Sequence, residues 1–249
     1  VTGGSEEDMA GPSPRSEGFS PQRTRFRPEF LDFRRGIRVG NLDDDERITR
    51  ILKIALEARY RQPFVTERWG RGVYWQWIGF LAKANRAAKP LSSKVSFGCA
   101  KFFLMVDTDE GRFKCGLQVE RGLLEAPPGQ ERFQLRDDWD WHRLIESLKP
   151  RGGMERELKR LVLREGFWVQ AGGWHSDLFR YSKSTLPPVI RLRAGLEQAP
   201  GNAWAGFLLY FPMDEDTVRG TSGTDLVEAM LAIYEEVTPA MRLCTQTPL

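Results

Sequence analysis

Arginine and phenylalanine are interleaved in residues 19–38, and this is the feature of the chain that most suggests a binding surface. The segment carries Arg23, Arg25, Arg27, Arg34, Arg35 and Arg38 among Phe19, Phe26, Phe30 and Phe33. Arginine neutralises phosphates while aromatic rings stack on bases, a combination that often holds single-stranded nucleic acid. The pattern predicts a nucleic-acid or other anionic ligand, contacted by Arg34, Arg35 and Arg38.

A second interpretation of the same segment stays open. Glu29 and Asp32 dilute its positive charge. Phe30, Leu31 and Phe33 would then dock the segment onto the body of the protein, because buried aromatic side chains contribute a large apolar area. Docking and ligand binding predict different exposures for the phenylalanines, so the structure can separate them.

A dense aromatic run occurs at Tyr74-Trp75-Gln76-Trp77. Aromatic side chains fit the pleated surface of a sheet, so the run favours a strand. Tyr74 and Trp75 are candidates for lining a ligand groove. Tryptophan is also commonly part of a core or its rim, and that alternative stays open.

The sequence Trp174-His175-Ser176-Asp177 contains the residue types of a hydrolase triad. Its contiguity counts against a triad, because neighbouring side chains of an extended segment point to opposite faces. A loop with an aromatic anchor is the simpler interpretation. The functional alternative is a ligand-facing loop in which Trp174 stacks and His175 exchanges a proton.

Acidic residues cluster around one predicted hairpin. Asp107, Asp109 and Glu120, with Lys114 nearby, offer the residue types of a metal-assisted hydrolase or nuclease. The spacing from Glu110 to Lys114 is longer than the usual Glu-x-Lys arrangement. No histidine or cysteine pair has the spacing of a zinc site, so we expect no resident metal or other cofactor.

Composition limits the class of protein. The chain of 249 residues has a net charge of +3, too mild by itself to indicate a nucleic-acid binder. Its 28 arginines against nine lysines fit anion recognition, and equally a compositional bias of the genome. Three widely spaced cysteines indicate a reducing compartment, hence a cytoplasmic protein. No signal peptide or membrane-spanning segment is visible, so we expect no membrane partner.

The Gly, Ser, Pro and charged residues that dominate residues 1–28 predict a disordered tail. Hydrophobic periodicity predicts a single α+β domain over residues 29–249. Predicted helices cover residues 44–61, 138–149, 154–165 and 225–237. Predicted strands cover residues 72–80, 100–106, 112–120, 167–171, 189–193 and 204–211. Strands that follow one another through hairpins, with helices inserted in pairs, indicate a mostly antiparallel sheet with helices packed on it.

These features favour a non-enzymatic binding or interaction domain of a bacterial-type cytoplasmic protein. The first alternative is a hydrolase or nuclease that uses the hairpin carboxylates or the residues around His175. The second is a structural subunit of a larger complex, with the apolar helix at residues 226–237 forming an interface to a protein partner.

Overall fold

Nine strands form one antiparallel sheet in the computed structural model, which describes residues 24–172 and 177–249. The strands are β1 (Leu31–Asp32), β2 (Gly36–Arg38), β3 (Phe64–Arg71), β4 (Tyr74–Ala82), β5 (Lys101–Asp107), β6 (Arg112–Gly122), β7 (Trp168–Gly172), β8 (Asp177–Tyr181) and β9 (Ala205–Asp214). Their order is β1-β2-β4-β5-β6-β9-β7-β8, and β3 also pairs with β4. This confirms the α+β class with an antiparallel sheet.

Seven α-helices accompany the sheet in the described part of the chain. They are α1 (Ile48–Tyr60), α2 (Lys83–Ala87), α3 (Asp140–Ser147), α4 (Gly153–Leu163), α5 (Val189–Glu197), α6 (Glu215–Arg219) and α7 (Gly223–Cys244). The longest, α7, packs on β6 and against α1, α3 and α4. None of the described helices combines the length and the apolarity needed to cross a membrane.

The two faces of the sheet have different chemistry. On β5, Phe102, Leu104 and Val106 belong to the main core with the helices. The alternate residues point the other way, as strand geometry requires. That other side, called the second face below, carries a small cluster of Trp77, Phe103 and Tyr210 and two fully buried lysines, Lys101 and Lys114.

Residues 189–193 are the clearest error of the sequence-based assignment, because they form a helix and not a strand. Val189, Leu192 and Leu196 are buried along α5 at helical spacing. Over five residues, the pattern Val-Ile-Arg-Leu-Arg fits both the two-residue period of a strand and the 3.6-residue period of a helix. The longer apolar pattern that ends at Leu196 decides for the helix.

The last helix also differs from expectation. The sequence places its end before Pro239, yet α7 continues through that residue to Cys244. Pro239 is on the exposed side, so the carbonyl that loses its amide partner faces solvent. Burial of Ala240, Met241 and Cys244 holds the final turn in place.

The N-terminal part of the body contains structure that the sequence did not indicate. Within the predicted tail, residues 24–28 pack on the domain: Phe26 is buried against Phe30, and the Arg25 amide donates to the Asp45 carbonyl oxygen. The remainder of that tail, residues 1–23, lies outside the described residues. Strands β1, β2, β3 and β8 were also not predicted.

Helix α1 begins later than its sequence suggested. The Asp43 carbonyl oxygen accepts the amides of Glu46 and Arg47, which forms a turn ahead of the helix. The N-cap residue is Arg47, and no side chain caps the helix. The first turn of α1 therefore lacks the side-chain acceptor that a cap usually provides for its amides.

Candidate anion-binding site

A cavity of about 380 Å³ lies where the first turns of α1 meet β3 and β4. Ten residues line it: Val39, Gly40, Arg47, Thr49, Arg50, Lys53, Thr66, Arg68, Gly72 and Trp75. Four of them are cationic and none is a carboxylate. The lining therefore combines positive charge, two hydroxyl groups and one aromatic ring.

The start of α1 contributes positive potential to this cavity. Within the described part of the chain, the amides of Ile48 and Thr49 have no hydrogen-bond acceptor. The first turn contains no acidic residue, and it carries arginine at positions 47 and 50. Cations at a helix N-terminus are disfavoured by the helix dipole, whereas an anion there is favoured.

The cations of the cavity are only partly neutralised. Arg47 donates to Asp44 Oδ1 at 3.2 Å, and Arg50 lies 3.8 Å from the same carboxylate. Lys53 Nζ is 3.7 Å from a Glu57 oxygen, beyond hydrogen-bond distance. No carboxylate pairs with Arg68 in the described structure. One acidic side chain thus serves two arginines, and positive charge remains.

The Arg47 side chain lies at the start of α1 and is only partly satisfied by hydrogen bonds. Arg47 Nη2 donates to the Leu42 carbonyl oxygen at 2.6 Å, which fixes the guanidinium beside the helix start. The Nε atom of Arg47 is buried and has no partner in the described structure.

On the opposite wall, the Arg68 guanidinium lies over the Trp75 ring at 3.9 Å from its centroid. A β-bulge produces this arrangement, because Trp69 pairs with Trp77 while Gly70 pairs with Trp75. The extra residue in β4 reverses the alternation. Trp75 therefore packs against the main core, whereas Trp77 belongs to the second face.

The residues predicted from sequence are only partly in this site. Trp75 lines the cavity. Arg38 and Tyr74 form a register pair next to Ile37 and Trp75, so strand alternation directs them to the opposite side of the sheet.

The remaining predicted contacts have their own interactions. The Arg35 guanidinium covers the Tyr74 ring at 4.3 Å and pairs with Asp32 at 2.6 Å, while Arg34 is exposed. Trp174 and His175 lie outside the described residues. Phe30, Leu31 and Phe33 are buried in the core, as the docking interpretation requires.

The hairpin carboxylates do not form the shared site that a hydrolase would need. Asp107 accepts a hydrogen bond from Lys114 at 2.8 Å, and Glu120 accepts one from Lys101 at 2.5 Å. Asp107 and Lys101 are six residues apart on β5, which is roughly 20 Å along a strand. Asp109 is exposed on the turn. No group of three candidate metal ligands is present among the described residues.

Each lysine of the second face is surrounded by acceptors. Lys101 Nζ also contacts Glu67 at 2.7 Å, so two carboxylates share one buried ammonium. Burial raises the pKa of the Glu120 carboxyl to about 7, Lys101 opposes that shift, and Glu67 adds to it. Burial alone would lower the pKa of Lys101, but the two carboxylates raise it overall.

The cationic residues of the cavity were missed in the sequence. Arg47, Arg50 and Lys53 read there only as the polar side of a helix. The one available signal was basic residues in a first turn that follows four consecutive acidic residues, residues 43–46. Arg68 gave no local signal.

Comparison with known proteins gives no relative for this chain: no family model, no curated protein and no solved structure matches it.

Proposed function

We propose that this protein binds a phosphate-bearing anion in the cavity at the start of α1. The observation that carries the proposal is the lining itself, in which four cations and no carboxylate face an uncapped helix N-terminus. Arginine presents planar pairs of N–H donors that match phosphate oxygens, and the unpaired amide of Thr49, a lining residue in the first helical turn, adds a further donor. Thr49 and Thr66 supply hydroxyl groups at the same cavity.

Binding is better supported than hydrolysis. The buried lysines of the second face are occupied by internal partners, with Asp107 and Glu110 within 3.1 Å of Lys114 and two carboxylates on Lys101. Groups that are fully paired within the protein have no free acid, base or metal-binding role to offer a substrate. The α1 cavity, by contrast, is lined by four cationic side chains and by no carboxylate.

A subunit interface on the last helix is not supported. Leu226, Met230, Ile233 and Val237 are buried within the chain, so the apolar side of α7 already has its partner. For the compartment, we propose a reducing one, the cytoplasm. The free, buried state of Cys99, Cys115 and Cys244 supports that assignment.

Calorimetric titration with inorganic tripolyphosphate at low salt tests the proposal. We expect the Arg50→Gln and Lys53→Gln variants to bind about tenfold more weakly than the wild type, since each loses a charged hydrogen-bond donor. Raising NaCl should weaken wild-type binding further.

Arg193→Gln is the matched control, because Arg193 is another helical arginine with one carboxylate partner, Glu197, at 3.0 Å. It should leave the affinity unchanged. Absence of any binding by the wild type, or equal affinities for the wild type and both cavity variants, would refute the proposal.

A further inference from the structure

We infer that the ligand of this cavity is a nucleotide 5′-phosphate, with the phosphate at the start of α1 and an unpaired base stacked on Arg68. The inference rests on the proposed anion binding and adds the chemical class of the ligand. It requires two different subsites in one cavity, one for charge and one for a flat ring.

The ring subsite is the Arg68–Trp75 stack. The guanidinium carbon of Arg68 lies over the indole at 3.9 Å from the ring centroid, and Arg68 is an exposed residue that lines the cavity. Unpaired bases stack on aromatic rings and on arginine planes. A guanidinium already held over an indole loses little freedom when a base packs on it.

The phosphate subsite is the row of cations along α1. Arg47, Arg50 and Lys53 follow one another at intervals of three residues, which spans roughly 9 Å along the helix. Such a row can contact more than one phosphate group. Since Arg68 comes from β3, the charged row and the stack occupy different walls.

Space for the ring is present beside the turn between β3 and β4. Gly72 takes a φ of +61°, and a Cβ atom added there would meet nothing within 4 Å. The cavity of about 380 Å³ also falls within the range, ~300–1,000 Å³, of sites that accept whole small molecules. A base inside a duplex has no free ring face, so the site suits a mononucleotide or a single-strand end.

Three probes separate the subsites: adenosine 5′-monophosphate, ribose 5-phosphate and adenosine. For the wild type, we expect the nucleotide to bind about tenfold more tightly than ribose 5-phosphate, because only the nucleotide stacks. The Arg68→Lys variant keeps the charge and loses the plane. It should weaken nucleotide binding much more than ribose 5-phosphate binding, so that the preference for the nucleotide is lost.

The failures of the two proposals are distinguishable. If the wild type binds both phosphates equally, or if Arg68→Lys retains the nucleotide preference, the base subsite is wrong and anion binding stands. If tripolyphosphate and both phosphate-bearing probes fail to bind, the proposed function itself is overturned. Arg50→Gln should weaken the binding of adenosine 5′-monophosphate and of ribose 5-phosphate by the same factor, so the ratio of their affinities should stay unchanged.

Short single-stranded oligonucleotides identify the source of the nucleotide. A 5′-phosphorylated strand that binds more tightly than the mononucleotide would assign the site to strand ends, and equal affinity would assign it to the free nucleotide. Either result supports a nucleotide 5′-phosphate. Tighter binding of the 5′-hydroxyl strand than of its phosphorylated form would overturn the assignment.

Discussion

Buried charges on the second face show how individual residues set the chemistry of this sheet. Lys101 is fully buried and contacts both Glu67 and Glu120. Two carboxylates and one ammonium leave an excess of one negative charge in a poorly solvated place. Such a site favours uptake of a proton, because a buried unpaired charge is costly.

This residue arrangement predicts pH-dependent stability. The pKa of Glu120 is raised in the folded protein from an ordinary value of 4.5 to about 7. Between these values the folded state binds a proton that the unfolded state has released, so stability falls as pH rises from about 4.5 to about 7. The loss should be about 1–3 kcal/mol, and Glu120→Gln should remove it.

Urea unfolding at a series of pH values measures that slope. Glu125→Gln is the control, since Glu125 is exposed on the loop that follows β6. Its slope should match that of the wild type. The same slope in wild type and Glu120→Gln would show that another group takes up the proton.

Single polar side chains also hold secondary-structure elements together. Asp140, at the start of α3, accepts hydrogen bonds from Asn85 Nδ2 at 2.7 Å, Lys89 Nζ at 2.6 Å and the Ala100 amide at 2.6 Å. Asn85 belongs to α2, and Ala100 immediately precedes β5. One buried carboxylate therefore fixes the positions of two helices and a strand.

Removal of this junction should be strongly destabilising. Asp140→Ala leaves the Lys89 ammonium buried without its carboxylate, and breaking a buried pair from one side costs about 3–5 kcal/mol. Denaturant unfolding would measure the change. Asp137→Ala is the control: this neighbouring carboxylate is exposed, so its loss should cost less than about 0.5 kcal/mol. Similar losses in both variants would contradict the role given to Asp140.

At the scale of the whole molecule, ligand binding and folding are linked. The cavity is assembled from α1, β3, β4 and the residues after β2, so it exists only in the folded state. A ligand that binds only the folded protein raises the free energy of unfolding. The overall charge of +3 is too small to attract polyanions generally, and recognition depends on the local row of cations.

Tripolyphosphate should therefore raise the melting temperature. At a concentration of 100 times the Kd, the stabilisation is about 2.7 kcal/mol, which corresponds to roughly 5–10 °C for a domain of this size. Differential scanning calorimetry would measure the shift. Sulfate at equal ionic strength controls for general salt effects, and an Arg50→Gln protein should show a smaller shift. An equal shift in that variant would place the ligand elsewhere.

Local patterns in the sequence were sufficient for the fold class and for several elements. The turn around Gly111 and its apolar flanks predicted the β5–β6 hairpin, and helical spacing of Met154, Leu158, Leu161 and Val162 predicted α4. Both elements have most of their signal within ten or so residues. The strand predicted at residues 189–193 was wrong because a pattern of five residues fits both the period of a strand and that of a helix.

The sequence alone was enough to propose Trp75 as a residue that lines a ligand site, and it showed aromatic and arginine residues close together along the chain. It did not predict that Arg47, Arg50, Lys53 or Arg68 would line that site. Periodicity reports which side of one element is buried. The convergence of a helix start with a strand depends on the register of β3 on β4, including the bulge at Gly70. Those contacts are made between distant segments, so only the tertiary structure decided which cations share a cavity.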